Sequence, residues 1–283
     1  MTRMFVVGLV FGALIAPAAA ADLPVKAPAP VPVSTWDGWY LGASIGWERN
    51  DSNWTTTCFA DPPDGFPCGA GNPFFVDRSS PHSFNTTGPR VGGYFGVNWQ
   101  VAPMWVVGVE ADFGFHDRTS TVTGIVGCTI QCDPAVPPGT PGFTAANDST
   151  SVRTTWDASM RARLGFLVTP AVLLYGTAGL ASKEIEANIT CNGLTSPWCV
   201  FNQSQTITSV QHGWTVGAGI DWKAYGNWIF RAEYRYFDFR NFSPIFFQGT
   251  IDEIHTNINT RTHAALFGVS YLFGGTGPVV ARY

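Results

Sequence analysis

Charged and aromatic side chains alternate in the stretch RAEYRYFDF, which covers residues 231–239. At the two-residue period of a β-strand, Arg231, Glu233 and Arg235 project from one face and most of the aromatic side chains from the other. At the period of a helix, the same charges would spread around the whole cylinder. Such a row can pair carboxylates with guanidinium groups, or it can line a path for anions. The other segments of the chain decide between these two chemistries.

Patterns that mark enzymes or metal sites are missing from the sequence. It contains no GxSxG, HExxH, P-loop or EF-hand motif, and its five histidines are scattered. Asp112, His116 and Ser159 are the one set from which a hydrolase-like group could be assembled. No motif connects these three residues. We therefore predict that the protein is not an enzyme and has no catalytic, cofactor or metal site.

Six cysteines fall into three local pairs, each within one predicted loop. Export through an oxidising compartment permits disulfides, and six cysteines allow fifteen different pairings. The distribution favours one bridge within each loop. Metal binding is the alternative, but the pairs have no adjacent histidines. The favoured bridges join Cys58 to Cys68, Cys128 to Cys132, and Cys191 to Cys199.

The first 35 residues read as an export signal followed by a linker. Arg3, an apolar run at 5–15 and the small-residue stretch PAAAA at 17–21 predict a secretory signal peptide over residues 1–21. A retained membrane anchor is the alternative, but the apolar run is short for a span. Residues 22–35 form a Pro/Ala-rich lead-in, which we expect in the periplasm. No later segment has the apolar length of a transmembrane helix, so the exported chain is either soluble or a closed barrel.

Eight segments of about ten residues share the alternation of the opening stretch. In each, apolar and aromatic residues occupy one face, and charged, polar or glycine residues occupy the other. Ten residues is the length of a tilted membrane-spanning strand. We therefore predict an all-β fold, an eight-stranded antiparallel up-and-down transmembrane β-barrel over residues 36–273, followed by a tail at 274–283. The segments are 38–48, 90–100, 105–115, 156–166, 172–181, 214–223, 228–239 and 262–273.

Short and long connections alternate between these segments. Tight turns carry Pro103, Pro170 and Gly226, and tryptophans flank the first and third of them, as in an interfacial aromatic belt. In outer-membrane barrels, short turns face the periplasm and long loops face outside. A soluble ligand-binding barrel is the alternative, but it would leave the outward tryptophans unexplained. The predicted long loops are 49–89, 116–155, 182–213 and 240–261.

The predicted inward faces carry six acidic and six basic residues. An eight-stranded barrel is just wide enough to be filled by side chains, and buried charges must be paired. We therefore expect an ionic network that plugs the barrel. The alternative is an anion-selective constriction formed by Arg161, Arg163, Arg231 and Arg235. The twelve residues are Glu48, Arg90, Glu110, Asp112, Asp157, Arg161, Arg163, Asp221, Lys223, Arg231, Glu233 and Arg235.

The composition of the chain limits the classes of partner that the protein is expected to bind. A net charge of −4 and a pI near 5.7 give no sign of nucleic-acid binding. The expected partners are outer-membrane lipid and lipopolysaccharide, and the barrel-assembly machinery during insertion. The sequence does not indicate an oligomeric state.

Several motifs together resemble a known family. The stretches AAADLPVKAP, WDGWYLGASIGW, GWTVGAGIDW, FRAEYRYFDF and HAALFGVSYLF are similar to those of small alphaproteobacterial outer-membrane β-barrel proteins, which are related to the OmpA membrane domain and the opacity proteins. The resemblance implies an outer-membrane location and a role in envelope integrity and surface exposure. It also leaves two alternatives, a surface-loop module that binds haem or a host or symbiont partner, and a small pore. One departure is that GGTGPVVARY follows Phe273, where family members usually end.

Overall fold

A computed structural model describes residues 33–60, 76, 80–127, 148–192 and 201–277 of the 283-residue chain. The predicted signal peptide, most of the lead-in and the end of the predicted tail lie outside these residues. The described residues form nine strands, which extend slightly beyond the predicted limits of 36 and 273. They are β1 (Val33–Phe59), β2 (His82–Ala102), β3 (Trp105–Thr123), β4 (Ser149–Thr169), β5 (Val172–Cys191), β6 (Gln203–Tyr225), β7 (Trp228–Phe239), β8 (Ile245–Phe246) and β9 (Ile254–Gly277).

The strands form a closed antiparallel ring. Each long strand pairs with its neighbour in the chain, β7 pairs with β9, and β9 closes the ring by pairing with β1 from Val33↔Gly277 to Phe59↔Ile254. β8 has only two residues and attaches to β9. Eight long strands therefore make the wall, which confirms the predicted up-and-down barrel. None of the described residues belongs to a helix long and apolar enough to cross a membrane.

Three two-residue turns lie at one end of the ring, which we call the turn end. They occupy residues 103–104, 170–171 and 226–227. Gly226 has a φ of +54°, a conformation that favours glycine. The tight turns were predicted at these places. The opposite end, where the longer connections lie, is called the loop end.

The outer face of the ring near the turns is apolar and rich in aromatic rings. Trp105 packs edge-on against Phe166 with ring centroids 5.2 Å apart, and Trp39 stacks on Phe273 at 4.0 Å. Side chains alternate along every long strand between this exposed face and a buried inner face. The face assigned to each segment from the sequence is the face observed.

The strands are longer than predicted, because the sequence pattern inverts towards the loop end. The predicted loop 182–213 is mostly strand, since β5 runs to Cys191 and β6 begins at Gln203. Here the inward side chains are apolar, as at Ile185, and the outward ones are polar, as at Asn188. Water outside the wall demands this arrangement, whereas the lower wall shows the opposite one. The other three long loops are shortened in the same way.

At the loop end the wall divides into two facing sheets. β2 and β3 pair only from Val91↔Phe115 towards the turns, and β6 and β7 only from Gly213↔Phe239. Beyond those points one sheet has the order β3–β4–β5–β6, and the other has the order β2–β1–β9–β8. A loop-end cluster of buried side chains fills the space between them. Its members are Trp54, Phe59, Phe84, Ile125, Val126, Val152, Ile185, Ala187, Ile189, Cys191, Phe242, Phe246, Phe247, Ile254 and Ile258.

Candidate functional site in the barrel interior

The middle of the barrel holds a continuous network of ion pairs. Its charged residues alternate with outward apolar ones on β1–β7, so the strand period alone aims them at the axis. Neighbouring strands bring opposite charges side by side, for example Glu110 of β3 opposite Arg161 of β4. The result is a chain of contacts that crosses the lumen rather than a ring around an opening.

Glu110 lies at the centre of this network. Its carboxylate is ion-paired with Arg161 and Arg231, and it accepts a hydrogen bond of 2.7 Å from the hydroxyl of Tyr40. The side chains of Glu110 and Arg161 are both 0% exposed. Arg161 also pairs with Glu233, so each group has more than one partner. Buried charges are tolerated only when they are paired and hydrogen-bonded in this way.

Towards the turn end, Asp221 joins two arginines. It accepts a bond of 3.0 Å from Nε of Arg231 and is ion-paired with Arg163. The guanidinium of Arg163 lies 3.7 Å from the ring centroid of Tyr175, and that of Arg231 lies 4.3 Å from the ring of Tyr94. These stacked rings hold the planar guanidinium groups in place and exclude water from them.

Towards the loop end, Arg90 gathers three carboxylates. It donates bonds of 2.9 Å to Asp112 and to Asp157, and it lies 3.4 Å from Glu48. Lys183 completes this part, because its ammonium pairs with Glu48. Arg235 ties this group to the centre of the network, because it is ion-paired with both Asp112 and Glu233.

The predicted membership of the network differs from the observed one at two lysines. Lys223 lies near the turn end, where it donates a bond of 2.8 Å to the carbonyl of Thr35 and sits 5.3 Å from the ring of Trp36. The network instead contains Lys183, which was not predicted because the fifth segment was expected to end at Ala181. Odd-numbered residues of β5 face inward, and continuing that parity would have found Lys183. The structure joins the other eleven predicted residues.

Inward glycines make room for the long side chains. A Cβ added at Gly114 would lie 2.2 Å from the guanidinium carbon of Arg90. Added at Gly96 it would lie 2.5 Å from the hydroxyl of Tyr40. Real Cβ atoms do not approach non-bonded atoms this closely. The glycines on the inner face are therefore part of the network's geometry.

Apolar layers close both ends of the network. The loop-end cluster lies beyond Lys183, and Phe237 and Phe239 pack beside the network on β7. Trp36 lies across the turn end and donates from its indole nitrogen to the carbonyl of Pro170 at 3.1 Å. Among the described residues, buried side chains thus lie along the interior from one end to the other. The turn-end cluster consists of Trp36, Tyr40, Tyr94, Val106, Leu167, Leu173, Ile229 and Leu272.

The possible hydrolase group does not have the required order. Ser159 donates its hydroxyl hydrogen bond to Asp112, and Nδ1 of His116 lies 3.3 Å from the carbonyl oxygen of Pro89. A hydrolase would need the serine to face the histidine and the histidine to face the acid. Within the ranges that the structure describes, no three His, Cys, Asp or Glu side chains are placed to hold a metal ion.

The cysteines are described only in part. Cys58 near the end of β1 and Cys191 at the end of β5 are both disulfide-bonded. Cys68, Cys128, Cys132 and Cys199 lie outside the described residues. The predicted bridges within the loops therefore stay predictions.

A closed ring of eight long strands, with aromatic rings outside and paired ions inside, defines an integral outer-membrane β-barrel. The chain belongs to the family of outer membrane protein beta-barrel domains, whose family model matches residues 7–273. This result confirms the family that the sequence motifs indicated.

Named relatives place the protein in the bacterial outer membrane. The chain is 26% identical to a 31 kDa outer-membrane immunogenic protein of Brucella melitensis, over 90% of this chain and 93% of the relative. It is also 26% identical to a 22 kDa outer membrane protein of Rhizobium leguminosarum, over 78% of this chain and 71% of the relative. Among solved structures, OprG from Pseudomonas aeruginosa aligns with a TM-score of 0.47 and 9% identity, over 86% of this chain and 100% of OprG. The Brucella relative is named as an immunogenic outer-membrane protein and the Rhizobium relative as an outer membrane protein, and neither is named as an enzyme.

Proposed function

We propose that the protein is a structural component of the outer membrane, a barrel closed to ions that carries a folded extension on the cell surface. The observation that supports this proposal is the unbroken network from Lys183 to Arg163, with apolar clusters beyond both of its ends. We propose that the protein has no catalytic activity. Its contribution to the envelope is mechanical stability and an exposed surface.

The anion-pore alternative requires cationic side chains that are available to a passing ion. Each of the four arginines proposed for a constriction is ion-paired with at least one carboxylate. A passing anion would have to displace a carboxylate that is held in place by the wall. That displacement would cost several kcal/mol for each buried pair that is broken. The paired arrangement therefore supports a plug.

We further propose that lipopolysaccharide is the lipid partner at the loop end. Arg49 on β1, Arg240 in the connection after β7 and Arg261 on β9 are exposed on the outer surface just beyond the apolar band. Phosphate groups of the outer leaflet lie at this level in outer-membrane barrels, and arginine binds phosphate well. The turn end then faces the periplasm, the side from which the barrel-assembly machinery inserts the chain into the membrane.

Planar-bilayer recording tests the closed lumen. Purified, folded protein should give no stable conductance steps, because the ion pairs and both apolar clusters remain in place. Folding is checked on the same sample by the change of gel mobility on boiling. Regular anion-selective steps that fall in the Arg161→Gln and Arg163→Gln variants would contradict the plug and support the pore.

A further inference from the structure

Among the described residues, the division of the wall at the loop end leaves four strand edges, and one of these edges is unprotected. β6 pairs with β5 over its whole upper part, up to Cys191↔Gln203, but with β7 only as far as Gly213. Residues 203–212 of β6 therefore form the outer edge of their sheet. An exposed strand edge is a template on which another strand can add.

The backbone groups on this edge can be assigned from their neighbours. The amide of Arg240 donates to the carbonyl of His212 at 3.1 Å, so even-numbered residues of β6 point away from β5. The amide of Lys223 donates to the carbonyl of Ala171 in the β4–β5 turn at 2.8 Å, so odd-numbered residues point towards β5. Among the described residues, the outward-pointing amides and carbonyls of Ser204, Thr206, Thr208 and Val210 have no backbone partner.

The other three edges carry features that block pairing. On the β2 edge, Pro89 lacks an amide hydrogen, and the side chain of Arg118 lies against Gly88. The β3 edge carries two charged residues, Asp117 and Arg118. β8 has only two residues and follows Pro244. Charges, prolines and short strands are the usual means by which proteins protect an edge.

The β6 edge has none of these features. Residues 203–212 read QSQTITSVQH, with no proline and no acidic or basic residue other than a histidine at the end. Its outward side chains are exposed, and its inward side chains are only half-buried, whereas the inward residues of β5 are buried. Ile207 packs against the loop-end cluster along this opening.

Few side chains bridge the opening between β6 and the second sheet. Within the described ranges, Gln203 donates to Asp252 at 2.6 Å, and the amide of Phe247 donates to the side chain of Gln205. Where β7 leaves β6, a depression of about 580 Å³ lies between Leu180, Trp214 and Arg240. Among the described residues, the edge is therefore open at its His212 end, whereas these two contacts bridge the opening at its Gln203 end.

We propose that the β6 edge binds an extended polypeptide as an additional antiparallel strand. The ligand is an uncharged segment of another protein outside the cell, with apolar side chains at every second position. Its backbone pairs with the free amides and carbonyls of Ser204, Thr206, Thr208 and Val210. Its inward apolar side chains pack beside Ile207, and its outward side chains meet water. This function adds to the structural role and does not depend on the lumen being closed.

A second copy of the barrel does not fit the edge in this way. Two copies in one membrane have the same orientation, so a two-fold axis relating them runs along the membrane normal. Such an axis cannot place two β6 edges antiparallel to each other. The occupant is therefore a strand from a different polypeptide.

The test uses the full-length protein in lipid nanodiscs and a synthetic ten-residue peptide that alternates valine with threonine. Binding is measured by fluorescence anisotropy, and amide hydrogen exchange identifies the edge. The peptide should slow exchange at the even-numbered residues 204–210, which exchange fast in the free protein. Odd-numbered neighbours, which pair with β5, should exchange slowly in both states.

Two matched pairs of changes test the backbone pairing itself. Thr208→Pro removes one free amide without breaking a bond to β5, and should weaken binding at least tenfold relative to Thr208→Ala. When the valine side chains of the bound peptide point inward, the backbone amides of its threonines face β6. N-methylation of the threonines should then abolish binding, whereas N-methylation of the valines should leave it.

Three results would overturn the proposal. The first is an unmethylated peptide that fails to bind. The second is equal binding to Thr208→Pro and Thr208→Ala, or equal effects of the two methylation patterns. The third is slow exchange at Thr208 in the free protein together with a cross-linked dimer, which would show that a second copy covers the edge. None of these results bears on the conductance test, so the two proposals fail separately.

Discussion

Glu110 is the residue on which the stability of the interior network depends most. Glu110→Gln keeps the shape of the side chain but leaves Arg161 and Arg231 without one of their anions in a dry site. Breaking a buried pair from one side costs about 3–5 kcal/mol. The free energy of unfolding, measured by guanidinium titration in detergent micelles, should fall by that amount.

A matched change at the surface provides the control for Glu110. Asp51 pairs with Arg49 at 2.9 Å, but the two side chains are 33% and 58% exposed. Exposed pairs contribute about 0–1 kcal/mol, so Asp51→Asn should change stability by less than about 1 kcal/mol. Equal losses in the two variants would show that the interior charges are hydrated, contrary to the proposed plug.

Glycine positions test the packing of the same network. Gly114→Ala would place a methyl group on the guanidinium of Arg90, which three carboxylates hold in position. Overpacking of this kind costs about 1–3 kcal/mol. Gly176 faces outward, and its added Cβ would meet nothing closer than 3.8 Å, so Gly176→Ala should change stability by less than about 0.5 kcal/mol. The comparison is made by the same titration, and a larger loss for Gly176→Ala would contradict the assigned faces.

At the scale of the elements, the sequence predicted the membrane part well and the loop end poorly. Within the membrane part, apolar side chains face outward on every long strand and charged ones face inward on β1–β7, and parity alone identified Glu110 and Arg231. At the loop end the solvent outside the wall is water, so the same strands reverse this arrangement. Residues such as Asn188 and Thr206 were therefore interpreted as loop. Lys183 was missed because it lies where the two patterns meet.

The connection between β8 and β9 gives a prediction for pH. The amide of Gly249 donates to the carboxylate of Glu253 at 2.7 Å, and this bond, followed by the contact with His255, lowers the pKa of Glu253 below its usual value of 4.5. Because the pKa of Glu253 is lowered in the folded protein, the stabilisation that its carboxylate gives to this connection is complete above pH 4.5. This stabilisation is lost as the pH falls through the pKa that Glu253 has in the folded protein.

Amide hydrogen exchange at Gly249 measures this effect. Protection at Gly249 should be constant above pH 4.5, after correction for intrinsic exchange, and should decrease below it. Glu253→Gln retains an acceptor oxygen without the charge, so the variant should show no such decrease. A decrease of the same size in the variant would assign the pH effect to another group.

On the scale of the whole molecule, one continuous wall is in contact with two different solvents. The lower wall faces lipid and encloses ions, and the upper wall faces water and encloses the loop-end cluster. The eight long strands, their order and the tight turns follow from the sequence alone, whereas the two-residue β8 was not predicted. The separation into two sheets does not, because it depends on register shifts and strand ends that local patterns do not encode. The shift between Phe115 and Arg118 in the β3–β4 pair is one example.

The orientation of the molecule can be tested with one epitope inserted at two matched glycines. Gly249 lies in the connection before β9 and Gly226 in the last tight turn; both are exposed, have positive φ and would have no described atom within 4 Å of an added Cβ, so inserted residues can extend into solvent. Short turns face the periplasm in such barrels. Antibody should therefore label intact cells carrying the epitope at Gly249, and should label the Gly226 cells only after the outer membrane is permeabilised. Both variants should keep the gel mobility of a folded barrel, and the reverse labelling would place the unprotected β6 edge in the periplasm.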